Sequence, residues 1–291
     1  MKKGNSLFIC MFSLLCLVLS WQCQTVQAEG WIWISSDDKY GKLYDPASVQ
    51  VVRSIRTKDG TRSVPTELQA WTKTEYNAAG AAETISNYGI QSQLPDASRL
   101  AYSLALVQIN PQNRTMQYIK ENFYDAEGNV IWSKADGRVK EINSQEFDED
   151  YYAMIVDVVF RQGEYARCKA EDRWKTLWTA PVGDLVKSAS ADTSTMRKKG
   201  ENLIFWEWDE SKDMAGKVVE VTFLKRAVNI VNGTEKVVEA KRWTSQNGWT
   251  DVQLDGMYRV ISPNTPEYSG LTVLRAFSQG YSTWVNRYSF N

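Results

Sequence analysis

Short runs of alternating apolar and polar residues, fenced by turn formers, fill most of the chain after residue 30. Residues 100–109 and 217–228 are rich in β-branched and aromatic side chains between polar turns, which predicts a strand in each. In residues 115–124 a two-residue period puts Thr115, Gln117, Ile119, Glu121 and Phe123 on one face. Met116, Tyr118, Lys120 and Asn122 fall on the other. Neither face is purely apolar, so this strand is expected to be partly buried on both sides. Gly128, within 125–129, predicts a short hairpin because glycine accepts the left-handed backbone of such turns; Asn247-Gly248 predicts another.

Late in each half the period lengthens to three or four. Thr265 is placed to cap a helix, Pro266 to occupy its first position, and Glu267 to face its positive end. Tyr268, Leu271, Leu274, Phe277, Tyr281 and Trp284 then make one apolar stripe. In the first half Ser144 is the expected cap, and Phe147, Tyr151, Met154, Ile155 and Val158 form the stripe. Residues 77–95, poor in large apolar side chains, read as a long surface loop, and residues 162–172 as a connector.

The same order of landmarks occurs twice. Trp31 and Trp33 precede Gly41-Lys42-Leu43, and Trp174 and Trp178 precede Gly183-Asp184-Leu185. Leu68-Gln69-Ala70-Trp71 matches Leu203-Ile204-Phe205-Trp206. Asn113 stands eleven residues before Tyr124, as Asn232 does before Trp243. The expected fold class is α+β: two similar units, 29–161 and 172–291, each an antiparallel sheet with a C-terminal helix packed on one face.

Compartment follows from the first residues. Lys2 and Lys3, the apolar run 7–19 and the small residues of Val26-Gln27-Ala28 read as a secretory signal peptide spanning 1–28. Trp21-Gln22 argues against the alternative, a lipid anchor on Cys23. Losing 1–28 removes Lys2, Lys3 and no acid, which leaves 32 basic against 35 acidic residues. So balanced a chain has no electrostatic footprint for nucleic acid. With the signal removed, no integral membrane segment is expected. Cys168 is then the single cysteine, so no internal disulfide can form and stability has to come from burial.

The pattern Trp31-x-x-Ile34, then Tyr44-Asp45-Pro46-Ala47-Ser48-Val49, then Trp71, resembles the surface-adhesin protein E-like domain family, which commonly opens with a Trp strand and a turn of this kind. The likeness continues through about residue 160, and the second half is similar but degenerate, with Lys187 where the family expects the turn Asp. The family's usual cysteine pair is absent. The resemblance implies an antiparallel sheet with a packed helix, exported to the cell envelope. For the founding adhesin it also implies binding of host matrix proteins, which no motif here carries over residue by residue.

Catalytic chemistry finds little to work with. The chain has no histidine, which removes Ser-His-Asp and Cys-His catalysis and the usual catalytic zinc sites. No nucleophile elbow or phosphate loop is present, so an enzyme is not expected, and neither a cofactor nor a metal is called for. Glu207, Asp209 and Glu210 are candidates for a carboxylate-dependent hydrolase or else a solvated strand end. Glu146, Asp148, Glu149 and Asp150 are either calcium ligands or charges favoured at a helix start. Cys168, between Arg167 and Lys169, is either a reactive thiol or a buried inert one. The tryptophans supply either cores or flat binding platforms, and Trp132, Trp208 and Trp249 are the candidates for exposed binding residues. The expected function is an exported, non-catalytic binding protein with a protein or glycan partner. The alternative is an envelope structural or accessory protein that self-assembles, for instance as a homodimer.

Overall fold

The computed structural model describes residues 30–135 and 137–289; the signal peptide read at 1–28 lies outside them. The described chain is mostly β, with two antiparallel sheets of eight strands each and a few helices. The first sheet comprises β1 (Ile32–Ser36), β2 (Tyr40–Tyr44), β3 (Gln50–Arg56), β4 (Ser63–Tyr76), β5 (Tyr102–Asn110), β6 (Thr115–Tyr124), β7 (Val130–Ala135) and β8 (Lys140–Glu141). Its order is β1-β2-β4-β5-β6-β7, with β3 on β4 and β8 on β6. The second comprises β9 (Trp174–Val182), β10 (Leu185–Asp192), β11 (Arg197–Lys199), β12 (Asn202–Asp213), β13 (Val218–Asn229), β14 (Thr234–Thr244), β15 (Gly248–Asp251) and β16 (Arg259–Val260). There the order is β9-β10-β12-β13-β14-β15, with β11 on β12 and β16 on β14.

Helices occupy corresponding places late in each half. The helix α2 (Glu149–Phe160) sends Tyr151, Tyr152, Ile155 and Val156 into a core with Leu68, Val107, Ile109 and Met116. Asp148 precedes it, and Glu149 and Asp150 fill its first turn, where the helix dipole favours acids. Ser144 therefore lies before the helix and does not cap it. The short α3 (Glu164–Lys169) falls inside the segment read as a connector. In the second half α4 (Pro266–Gly280) and α5 (Ser282–Val285) bring Leu271, Leu274, Phe277 and Trp284 onto Leu177, Leu203, Phe205 and Val228. Pro266 opens α4 as read; the Thr265 hydroxyl donates to the Ser262 carbonyl and makes no cap.

Two further expectations fail locally. Residues 77–95 are not a surface loop, because α1 (Ala78–Tyr88) forms there, capped by the Asn77 side chain on the Gly80 N–H and ended by Gly89 in the left-handed region. It lies on the first sheet through Ala81 and Ile85, part of a second small core with Leu94, Leu100 and Phe123. Gly80 permits this docking: a Cβ there would stand 2.4 Å from the Lys39 carbonyl oxygen. The second failure is the phase of β6. A register shift between Leu106 and Val107 pairs them with Lys120 and Tyr118, so Ile119 is the extra residue of a bulge. Met116 and Tyr118 before the bulge thereby share a face with Glu121 and Phe123 after it.

The sheets meet through buried charge. Glu164 at the start of α3 has no solvent exposure. It accepts from Arg287 Nε at 2.8 Å and Tyr288 Oη at 2.7 Å, and also from Arg114 Nη1. Arg114, fully buried before β6, also donates to Glu149 at 3.1 Å and to the Ile142 carbonyl at 2.9 Å. Arg173 joins Glu149 to Asp192 of β10, with contacts of 2.7 Å to each. Burial alone would raise the Glu164 pKa, but Arg287 and Arg114 outweigh it and hold the carboxyl below its ordinary value. Removing one partner of such a network strands a buried charge, at a cost of about 3–5 kcal/mol. Arg287→Met is expected to lose that much in urea unfolding at neutral pH; a loss under about 1 kcal/mol would contradict a load shared across the sheets.

Candidate functional site

The buried face of the first sheet is covered at one end by α2 and at the other by α1, and between them lies a cavity of about 420 Å³. Thr74 and Tyr76 come from β4, Tyr118 and Glu121 from β6 on either side of the bulge. The α1 helix contributes Thr84, Asn87 and Tyr88, and the segment after β7 contributes Lys140, Phe147 and Asp148. The walls thus combine the rings of Tyr40, Tyr76, Tyr88, Tyr118 and Phe147 with charged residues of both signs. Tyr40 meets Tyr76 edge-on at 6.0 Å and Phe147 at 5.0 Å between ring centroids.

Glu121 is the chemical centre of this space. It is 4% exposed, and its oxygens accept from Tyr88 Oη at 2.5 Å and, more weakly, from Ser103 Oγ at 3.3 Å. The Ser103 hydroxyl is in turn 2.8 Å from Tyr76 Oη. Burial pushes the Glu121 carboxyl up to about 7, against only partial relief from the two hydroxyls. Burial likewise pushes Tyr76 and Tyr88 above their ordinary range, with the nearby Glu121 charge adding to it. Across the cavity Asp148 is neutralised: Tyr118 Oη donates to it at 2.6 Å and Lys140 Nζ lies at 2.5 Å. Three acids thus line the cavity: Glu83 pairs with Lys39 and Asp148 with Lys140, whereas Glu121 meets hydroxyl donors alone.

The residues read from sequence are distributed unevenly. Trp132 on β7 is half-buried and backs the cavity wall, 5.5 Å from the Tyr88 ring and 5.1 Å from Phe123. Trp208 and Trp249 come together on the outer face of the second sheet at 6.1 Å, with Trp174 at 6.5 Å from Trp208. Trp249 is 48% exposed, whereas Trp206 is buried and its Nε1 donates to Glu141 of the first sheet at 3.2 Å. Glu207 is not a solvated strand end. It lies in mid-β12 with no exposure, and Arg226 Nη2 stands 3.0 Å from it. Burial raises both Glu207 and Asp209 above the ordinary carboxyl range, and Arg226 offsets it only in part. Glu210 points the other way, to Lys212. The acidic run at α2 is consumed by ion pairs: Glu146 and Asp148 with Lys140, Glu149 with Arg114 and Arg173, Asp150 with Lys42 and Lys169. Cys168 is buried, and burial pushes its thiol up to about 12 despite Arg114. Among the described residues no group of acids or Cys is arranged to hold a metal ion. No described helix is long and apolar enough to cross a membrane.

The chain matches no protein-family model and no curated protein.

A raised carboxyl is a stability cost with a pH signature. The folded protein keeps the Glu121 proton up to about 7, while the unfolded chain releases it near 4.5. Its contribution is therefore most favourable below about pH 4.5 and is lost as pH rises through 7. The difference is on the order of 3 kcal/mol. Glu121→Gln is expected to be more stable than the parent by roughly that amount at pH 8, with the gap closing toward pH 5. Chemical denaturation at both pH values checks it, and a variant destabilised equally at both would refute it.

Proposed function

We propose that this chain is an exported, non-catalytic binding protein of the cell envelope, built from two copies of one adhesin-E-like sheet-and-helix module, 29–161 and 172–291. Support for two copies comes from the matching strand orders and from particular registers. Leu68 pairs with Ile109 and Leu203 with Val228, and the Ile142 and Ile261 N–H groups donate to the carbonyls of Arg114 and Gly233 at 2.7 and 2.8 Å. Arg114 and Gly233 both have positive φ, the same turn made in one copy by an arginine recruited to the interface. The C-terminal helix of each copy covers its own sheet.

The first copy carries the ligand site, and the single observation behind that assignment is Glu121: a buried carboxylate facing an open cavity, walled by aromatic and charged residues, at a standing cost in stability. Sites that bind are where such costs are retained. A hydrolase fits less well. Its acids must touch substrate, and Glu207 touches only protein.

The outer row of Trp174, Trp208 and Trp249 favours a second reading, self-assembly or docking through the second copy. One experiment separates the two. Asn87→Trp blocks the cavity at an exposed wall position, and Trp249→Ala removes the most exposed ring of the row. Retention of envelope and matrix components by the mature protein is expected to fall at least about tenfold in Asn87→Trp and to be unchanged in Trp249→Ala. Loss confined to Trp249→Ala would move the site to the outer face.

A further inference from the structure

Resting on the cavity as the ligand site, we propose that its ligand carries an alkylammonium group, seated against the Glu121 carboxylate with its carbon substituents on the surrounding tyrosine rings. The charge pattern of the buried acids points to this. Asp148, Glu149, Asp150, Glu164, Asp192 and Glu207 are buried, and each has a lysine or arginine partner. Asp125 is held by the backbone N–H of Asn129 in its own turn. Among the described residues Glu121 is the buried acid with neither; it has only two hydroxyl donors. The chain supplies a cation to six of its other buried carboxylates but leaves this one facing a space large enough for a small molecule.

Three cations line the cavity, Lys134, Lys140 and Arg138, and none of them forms an ion pair with Glu121, although Lys134 is near enough to lower its pKa in part. Lys140 is held by Asp148 and Glu146, and Lys134 lies 4.9 Å over the centroid of Tyr88, the ring that donates to Glu121. The walls suit a cation in turn, because Tyr40, Tyr76, Tyr88, Tyr118 and Phe147 surround the cavity and aromatic faces attract positive charge. An anionic ligand would have to place its charge beside the Glu121 carboxylate to fill the buried end, although Lys134, Lys140 and Arg138 make the rest of the lining mixed in sign. A neutral one would leave the carboxylate unpaired and gain nothing from its burial.

Binding is coupled to one proton. Below about pH 7 the empty site holds a protonated carboxyl; the ammonium binds the carboxylate, so the proton leaves to solvent as the ion pair forms. The ligand keeps its own charge and no bond within it changes. The tyrosines facing Glu121 do not titrate in its place, because burial pushes Tyr76 of β4, Tyr118 of β6 and Tyr88 of α1 above their ordinary range; Lys140 stays charged beside Asp148, and the remaining charged groups of the lining are Glu83 of α1, paired with Lys39, Lys134 of β7 and Arg138.

Calorimetric titration of the mature protein with n-butylammonium and tetramethylammonium chloride, with 1-butanol and butyrate as comparisons, tests this directly. Running each titration in two buffers of different ionisation heat reads the proton count. The expected result is binding of the ammonium ions with close to one proton released at pH 6 and almost none at pH 8.5. Affinity is expected to be about tenfold weaker at pH 6 than at pH 8, and Glu121→Gln to weaken binding by at least about tenfold at pH 8. The proton count on the unaltered protein stands whether or not that variant folds. Butanol or butyrate binding as tightly, with the signal abolished by Asn87→Trp, would overturn the ammonium assignment and leave the cavity as a site. No binding by any of the four, together with unchanged retention of envelope components by Asn87→Trp, would overturn both.

Discussion

A carboxylate sealed between two sheets must be neutralised where it stands, and Arg114 and Arg287 do this for Glu164. One arginine comes from the turn before β6 and the other from beyond α5, so the ion pair ties the beginning of one core to the end of the other. Tyr288 completes it, donating to Glu164 while its ring meets Phe160 at 5.0 Å in the first core. The consequence reaches the cavity by short steps. Arg114 and Arg173 fix Glu149 in the first turn of α2, Asp148 precedes it, and Asp148 positions Tyr118 and Lys140 on the cavity wall. With Cys168, the one cysteine among the described residues, unpaired, the fold sets the geometry of its proposed site through guanidinium–carboxylate bonds, which are directional and cannot be neutralised by proton loss from arginine.

Glu121 and Glu164 are the same residue type at nearly the same burial, and the surroundings separate them completely. With two arginines the Glu164 carboxyl is held low; with two hydroxyls the Glu121 carboxyl rises to about 7. A fold that neutralises Glu164 so thoroughly had the means to neutralise Glu121. The difference is what gives the cavity its proposed function, since an unpaired buried charge is a preformed demand for a cation from outside. In the second sheet the matching region is filled differently: Thr72 and Thr74 of β4 correspond in register to Glu207 and Asp209 of β12, and Arg226 closes that space from within.

Much of the framework was readable before any coordinates. The bounds of β6, the hairpin through Gly128 and the opening of α4 at Pro266 all rest on local chemistry, which short sequence windows contain. The stripe of Leu271, Leu274 and Phe277 was equally plain because α4 has one sheet to cover. The α1 helix was missed although Asn77 and Gly89 are ordinary cap residues, because its buried side is made of Gly80, Ala81 and Thr84 and presents only Ile85 as a large apolar signal. Glu121 was assigned a face but not a role. A single bulged residue, Ile119, reverses the alternation, and no two-residue period can announce it. Glu164, in a segment read as a connector, meets Arg287 123 residues away, a distance no local pattern spans.

The central contrast can be measured on one sample. Carbon-13 NMR of glutamate side-chain carboxyls, followed from pH 4 to pH 9 and assigned with Glu121→Gln and Glu164→Gln, reports the ionisation of each residue directly. Glu121 is expected to titrate near 7, while Glu164 titrates below the ordinary carboxyl value. A Glu121 signal already fully ionised at pH 5.5, or a Glu164 signal moving near neutrality, would contradict both the unpaired site and the paired junction that frames it.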